Sequence, residues 1–225
     1  MCGRYTLITD MDTLQGRFSF ESADLGLALS FNVAPTQQVL TVVNDGENRA
    51  RYMRWGLIPS WAKDSSIGSR MINARAETLV EKPSLRSAFR RRRCLVLADS
   101  FYEWKKVGSK KTPTRIALKS REPFAFAGLW ESWNTPDGER VLSCAIVTTD
   151  PNSLMEPIHN RMPVILSRDA ESVWLDQSIE DAAMLGSLLT PYDAEEMESY
   201  EVSTLVNSPA NNSPELIARI ARMPL

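Results

Sequence analysis

The middle of the chain is dominated by apolar residues that recur at every second position, in short runs separated by turn signals. A period of two sends successive side chains to opposite faces of an extended backbone, so runs of this kind build sheets. Residues 39–43 read as a strand that stops at Asn44-Asp45-Gly46, a tight-turn signal, and residues 51–55 read as the returning strand, so 39–55 is predicted to be a hairpin. Residues 94–98, 114–118, 124–130 and 142–148 are further runs of strand type. Residues 108–111 and Thr135-Pro136-Asp137-Gly138 are turns between them. Helical signals flank this region at 10–18 and at 83–92, where a Pro opens the element. They recur at 153–156 with Ser153 as cap, at 167–175 and 179–189 as two amphipathic helices, and at Ser213-Pro214-Glu215, which starts the last. Alternating strand–helix units are absent, which excludes a doubly wound sheet. The pattern predicts a single α+β domain over residues 1–225, with a mixed, mostly antiparallel sheet curled into a barrel and surrounded by helices.

Composition narrows the function classes. With 43% hydrophobic residues in 225, a core can be buried without covalent staples. The formal net charge is −2, so any polyanion must be met by a local patch and not by bulk charge. The three cysteines, Cys2, Cys94 and Cys144, are too few and too scattered for a disulfide framework, which suggests a reducing compartment. Residues 1–20 hold Arg4, Asp10, Asp12 and Arg17 and no long apolar core, so they do not read as a signal peptide. No stretch approaches the roughly 20 apolar residues needed to span a bilayer. The expectation is a cytoplasmic, soluble protein with no membrane partner.

Cys2 stands directly behind the initiator Met. A small residue at position 2 permits loss of Met1, which leaves an α-amine of pKa about 7.7–8.0 and a thiol near 8.5 on adjacent carbons. This 1,2-aminothiol condenses with an aldehyde to a Schiff base, which the sulfur closes to a five-membered thiazolidine. An internal Cys lacks the amine for this; the alternative is a small residue tucked under a strand edge. His159, the single His, follows the strand at 142–148, and its ordinary pKa near 6.5 suits proton transfer. Arg161 beside it suggests an anionic substrate, although a lone His is also a common structural residue. Glu103 lies between Tyr102 and Trp104, where aromatic walls raise a carboxyl pKa and suit a general acid or base; a solvated Glu next to Lys105 and Lys106 is the other reading.

Asn73 and Arg75 alternate along an extended segment, which puts both on one face. Asn can orient a reacting oxygen and Arg can grip a phosphate in bidentate fashion, unless Arg75 simply pairs with Glu77. Trp61 sits in a loop after Gly56 and Pro59 as a core plug or a stacking platform for a base. Arg90–Arg93 is a cationic run that suits phosphate or a solvated helix end. Cys94 and Cys144 lie in apolar strands and read as core. No Cys/His spacing makes a zinc site and no Gly-rich phosphate loop is present, so neither metal nor cofactor is implied.

Six segments in order resemble one family. They are Met1-Cys2-Gly3-Arg4-Tyr5, Asn32-Val33-Ala34-Pro35-Thr36, Arg54-Trp55-Gly56-Leu57-Ile58-Pro59, Ile72-Asn73-Ala74-Arg75-Ala76-Glu77-Thr78, Phe101-Tyr102-Glu103-Trp104 and Ile158-His159-Asn160-Arg161-Met162-Pro163. Together they are similar to the SOS-response-associated peptidase (SRAP) domain of abasic-site processing proteins, up to about Asn207-Ser208-Pro209. The resemblance implies a barrel-like sheet with surrounding helices, removal of Met1, and binding of single-stranded DNA at abasic sites. It also implies a covalent thiazolidine between Cys2 and the ring-opened sugar, formed in the DNA-damage response on the nucleoid by a monomer.

By the same resemblance Asn73 orients the sugar oxygen or Cys2. Glu103 assists Met1 removal, crosslinking and reversal, and His159 assists ring opening and the Schiff-base steps. Arg4, Arg75 and Arg161 hold phosphates, while Pro35, Trp61 and Thr148 shape the DNA channel. Two positions depart from the family pattern: Asn160 stands where Asp is common, and near Pro83 either Lys82 or Arg86 replaces a phosphate-binding Arg. A lyase side activity by β-elimination from the Schiff base is compatible with this chemistry. Two readings compete with it. One is a thiol peptidase acting in trans through Cys2 and His159; the other is a non-covalent single-strand binding module, marked by steep salt dependence without a covalent product.

Overall fold

The computed structural model describes residues 2–21 and 25–220; Met1, and with it the question of its removal, lies outside them. Twelve strands and four α-helices follow in the order β1 Tyr5–Leu7, α1 Met11–Phe18, β2 Ser30–Val33, β3 Gln38–Asn44, β4 Asn48–Trp55, β5 Asn73–Arg75, α2 Pro83–Arg91, β6 Arg93–Ala98, β7 Ser100–Val107, β8 Lys110–Leu118, β9 Phe124–Asn134, β10 Arg140–Thr149, β11 Met162–Pro163, α3 Arg168–Leu175, α4 Ala182–Ser187 and β12 Met197–Glu201.

The apolar strands close a ring. β3 pairs antiparallel with β4 and with β6, β6 with β9, β9 with β10, and β10 returns to β4 in parallel. The result is a five-stranded mixed barrel of the kind expected. The predicted hairpin is β3–β4, in register from Gln38↔Arg54 to Asn44↔Asn48, with Gly46 in the left-handed region at φ 110°. β10 outlasts β4: its parallel partner is β4 at Ser143 and Cys144, then β5 at Ile146–Thr148, and β11 pairs with its end.

A second, wholly antiparallel sheet runs β12-β8-β7-β1-β2. The chain passes from barrel to this sheet at Asp99. Its buried carboxylate accepts from the N–H groups of Ile8 and Thr9 and from the Thr9 hydroxyl, which ties the corner after β1 to the crossing point. Aromatic rings join the layers: Tyr5 of β1 lies 5.3 Å from Trp55 and 5.8 Å from Phe126, and Phe101 of β7 lies 6.0 Å from Phe126.

The helices form where caps permit. Asp10 accepts from Thr13 N–H at 2.9 Å to start α1, and Ser167 accepts from Ala170 N–H at 3.3 Å to start α3. Three expectations are corrected. Residues 179–189 are helical only over α4, because the Asp181 carboxylate captures the N–H groups of Ala183 and Met184 and starts the helix there. Residues 153–156 form turns capped by Asn152, whose side chain accepts from Met155 N–H at 3.0 Å. The element at Pro214 is a single 3₁₀ turn, Pro214–Ile217.

The run Arg90–Arg93 is split up. Arg93 is 1% exposed and donates to the carbonyls of Trp174, Phe89, Arg90 and Asp176, closing the ends of α2 and α3. Arg92 pairs with Glu131 at 2.5 Å and Arg91 with Glu180 at 3.2 Å. Cys94 and Cys144 are free and fully buried, and burial pushes the Cys144 thiol up to about 12. Among the described residues, no helix is long and apolar enough to cross a membrane.

Gly56 ends β4 with φ 131°, and a Cβ there would stand 2.5 Å from the Gly68 carbonyl oxygen. The close approach of these two glycines seats the loop leading to Trp61 against the 3₁₀ turn Ser65–Arg70. Gly56→Ala is expected to cost roughly 2–4 kcal/mol from strain and overlap together, read as a lower melting temperature; a melting temperature equal to the parent's would show that the loop yields freely.

Candidate functional site

Strand register brings the site together. β1 meets β7 at Tyr5↔Phe101 and Thr6↔Ser100, and Tyr102 N–H donates to the Arg4 carbonyl at 2.9 Å. Continued two steps past Arg4 and Tyr102, this register sets Gly3 opposite Glu103 and Cys2 opposite Trp104. On the other side β10 holds β5 in register at Ile146↔Asn73. The Asn73 amide donates to the Cys2 carbonyl at 2.9 Å, while Asn73 Oδ1 is buried with no hydrogen-bond partner among the described residues. Cys2 therefore sits at the junction of the two sheets, 1% exposed, clasped from the barrel side by Asn73 and flanked from the other sheet by Glu103.

Burial sets the electrostatics. Desolvation holds the Cys2 thiol well above its ordinary pKa, and the negative charge of Glu103 adds to the rise. Glu103, 3% exposed, has its own carboxyl pKa raised by desolvation, with the positive amino terminus and His159 pulling the other way. Both partners thus favour keeping a proton in the site. His159 lies past the Asn152-capped turns, and its Nδ1 is held against the backbone of Arg161, 3.1 Å from the N–H and 3.2 Å from the carbonyl oxygen. Glu103 and His159 open onto one cleft of about 670 Å³, lined also by Trp104, Lys106, Lys111, Ile158, Asn160 and Asn207. Among the described residues no group of three His, Cys, Asp or Glu side chains is arranged to hold a metal ion.

The candidate DNA-facing residues divide into two groups. Trp61 is 67% exposed, and Arg75 is exposed with no hydrogen bond or ion pair from its side chain among the described residues. Pro35 is half-buried next to Thr36, which adopts φ 73°. Thr148 is buried in β10. Arg4 is buried too, donating to Asn32 Oδ1 at 2.7 Å and to the Val206 carbonyl at 2.6 Å, with its guanidinium 5.8 Å from the Trp104 ring centre. Arg161 is clamped by Glu77 in bidentate fashion at 2.8 and 3.0 Å, by Asp150 at 2.8 Å and by the Thr148 carbonyl at 2.7 Å. A phosphate approaching Arg161 has these carboxylates to displace.

Sequence reasoning missed Glu77 as the residue facing Arg161, because it placed Glu77 on the strand of Arg75. Residues Ala76–Thr78 instead turn as a 3₁₀ helix and redirect it. Lys82 and Arg86 are both exposed at the start of α2.

Comparison with known proteins places this arrangement. The pattern of the family described as SOS response associated peptidase (SRAP) matches residues 1–209, nearly the whole chain. The chain belongs to the SRAP family. A relative from Bacillus subtilis (strain 168) named abasic site processing protein YoqW is 56% identical over 221 residues, 96% of this chain and 99% of that protein. Abasic site processing protein HMCES of Xenopus tropicalis is 37% identical over 191 residues, 75% of this chain and 56% of that longer protein. A crystal structure of a protein from Bacteroides thetaiotaomicron superposes with a TM-score of 0.89 at 29% identity, covering 98% of this chain and all of that one. The barrel and its companion sheet are thus shared with that protein.

Proposed function

We propose that this SRAP protein binds single-stranded DNA at abasic sites as a monomer and captures the lesion covalently on Cys2. Water first cleaves the Met1–Cys2 peptide bond, releasing methionine and freeing the Cys2 α-amine. The amine attacks C1′ of the ring-opened sugar and water leaves, giving a Schiff base. Cys2 Sγ then attacks the imine carbon, the thiol proton ends on nitrogen, and a thiazolidine closes. Expulsion of the 3′ phosphate by β-elimination from the Schiff base is the lyase branch of the same path.

The observation that carries this reading is the seat of Cys2, between the Asn73 amide on its carbonyl and the raised-pKa carboxyl of Glu103. Each step moves a proton, and Glu103 is the group beside the sulfur suited to take or give it. His159, on the same cleft, serves sugar ring opening. Asn73 Oδ1, buried without a partner, offers an acceptor to an N–H or O–H of the substrate. Trp61 stacks a flanking base and Arg75 holds a phosphate, with Arg161 and Arg4 behind them. These contacts carry no sequence information, as suits a lesion without a base. The names of the relatives point to the same substrate. Such a protein works in the cytoplasm, on nucleoid DNA exposed as single strands during the damage response.

Hydrolysis of other proteins by a Cys2–His159 pair fits less well. A thiol protease needs a lowered thiol pKa, whereas burial and Glu103 raise that of Cys2.

Intact mass spectrometry tests the proposal. After incubation with an oligonucleotide carrying one abasic site, the expected species has the mass of the chain without Met1 plus the oligonucleotide, less one water. Free protein and free oligonucleotide as the only species, at concentrations where binding is saturated, would overturn it.

A further inference from the structure

We propose that the cleft leading out from Glu103 and His159 is a second phosphate track, in which Lys106 and Lys111 hold the DNA backbone on one side of the captured lesion. This rests on the abasic-site reading above and adds an element that reading does not contain.

The argument starts from register. β7 and β8 form a hairpin in which Lys106 stands directly opposite Lys111, with Lys105 and Lys110 adjoining. Directly opposed residues of antiparallel strands share a face, and like charges so placed repel. Nothing within the described structure offsets that repulsion: neither Lys106 nor Lys111 has a carboxylate partner. Several arginines elsewhere are neutralised locally, with Arg17 on Glu171, Arg51 on Asp45, Arg92 on Glu131 and Arg161 on Glu77. Two opposed cations left uncompensated are suited to an anion placed between them.

The cleft places that anion. Lys106 and Lys111 line the same cavity of about 670 Å³ as Glu103 and His159, and Glu103 is close enough to Cys2 to act on its thiol, so the cavity begins beside the residue that would hold the lesion. The volume is within the roughly 300–1,000 Å³ of ordinary ligand sites. Its acid, Glu103, is buried at the inner end; the outer lining is Trp104, Asn160, Asn207 and the two lysines. The Trp104 indole N–H is fixed on Asn207 Oδ1 at 2.7 Å, which makes that wall rigid.

Topology gives the track a direction. Asn73 and Arg75 belong to β5 on the barrel strand β10, whereas Lys106 and Lys111 belong to the second sheet. Cys2 lies at the junction, so a strand captured there meets Arg75 on one side of the lesion and the lysines on the other.

The test compares the parent with K106A/K111A on three single strands of equal length, with the abasic site central, near the 5′ end or near the 3′ end. On the central site the double variant is expected to bind about tenfold more weakly at moderate salt, and its log Kd against log salt slope is expected to shrink by about 1.4, from two phosphate contacts at roughly 0.7 each. On one of the two end-placed sites, which lacks the flank that reaches the lysines, variant and parent should bind alike. Both side chains are exposed, so the melting temperature should not move, and adduct yield at saturating DNA should match the parent's. An unchanged salt slope, or equal weakening on both end-placed sites, overturns the track. Absence of any adduct with the parent itself would instead overturn the capture reading, and the salt slope would still decide the track.

Discussion

Cys2→Ala protein is expected to bind abasic single-stranded DNA as tightly as the parent and to form no stable adduct with it. Loss of the sulfur leaves the α-amine, because Ala at position 2 also permits removal of Met1. The Schiff base then still forms, but nothing closes it, and water reverses it. Adduct surviving denaturation should fall by at least about a hundredfold, the scale for loss of a covalent nucleophile. Borohydride, which reduces the imine to an amine, should restore a covalent product with the variant. This pair of results separates the aminothiol from its rivals. A peptidase nucleophile needs no amine, and a binding module gives no reducible species. Affinity is the internal control: Cys2 is 1% exposed, so its truncation removes little surface that DNA touches. A Cys2→Ala protein that yields denaturation-stable adduct at the parental level without reductant would sink the proposal.

The barrel was legible because its strands are buried on one or both faces and therefore written in apolar residues. The stretch from Cys94 to Ala98, buried at every position, is the clearest example. Of the second sheet only β8 was legible, through the run 114–118, and the reasons are physical. β1, β2 and β12 have three to five residues each, too short for a period to register. β7 is buried from Ser100 to Glu103 and then emerges as half-buried and exposed lysines, so no single pattern runs through it. The same limit governs the site. Cys2, Asn73, Glu103 and His159 each lie in a distinctive local setting, but their adjacency depends on the pairing of β1 with β7 and of β5 with β10. Residue type could not separate Arg75 from Arg4 and Arg161. What distinguishes them is contact with Asn32, Val206 and Glu77, separated by 28, 202 and 84 positions. Long-range pairing decides which cations face solvent, and composition carries no trace of it.

Glu103→Gln is expected to slow capture while stabilising the fold, and the pH dependence of both effects follows from burial. Desolvation raises the folded-state pKa of Glu103 above its unfolded value. Between those two values the folded chain binds more protons than the unfolded one, so stability falls as pH rises through the interval. Below the ordinary carboxylate pKa of about 4.3 the cost is absent, and above the raised value it is complete. Glutamine cannot ionise and escapes it. The variant should therefore melt several degrees above the parent at pH 8, and the difference should vanish near pH 4. Catalysis moves the opposite way: without a group to pass protons between amine, thiol and departing water, the rate of adduct formation should drop by about 10²–10⁴. The parent's rate should show a limb displaced above the ordinary carboxylate range, and the variant's profile should lack it. A Glu103 placed only for packing would change the melting curve and leave the rate profile alone. Parental kinetics in the variant, whatever its melting temperature, would remove Glu103 from the chemistry; slower capture joined to higher stability at neutral pH identifies a carboxyl kept in an unfavourable place because the reaction uses its proton.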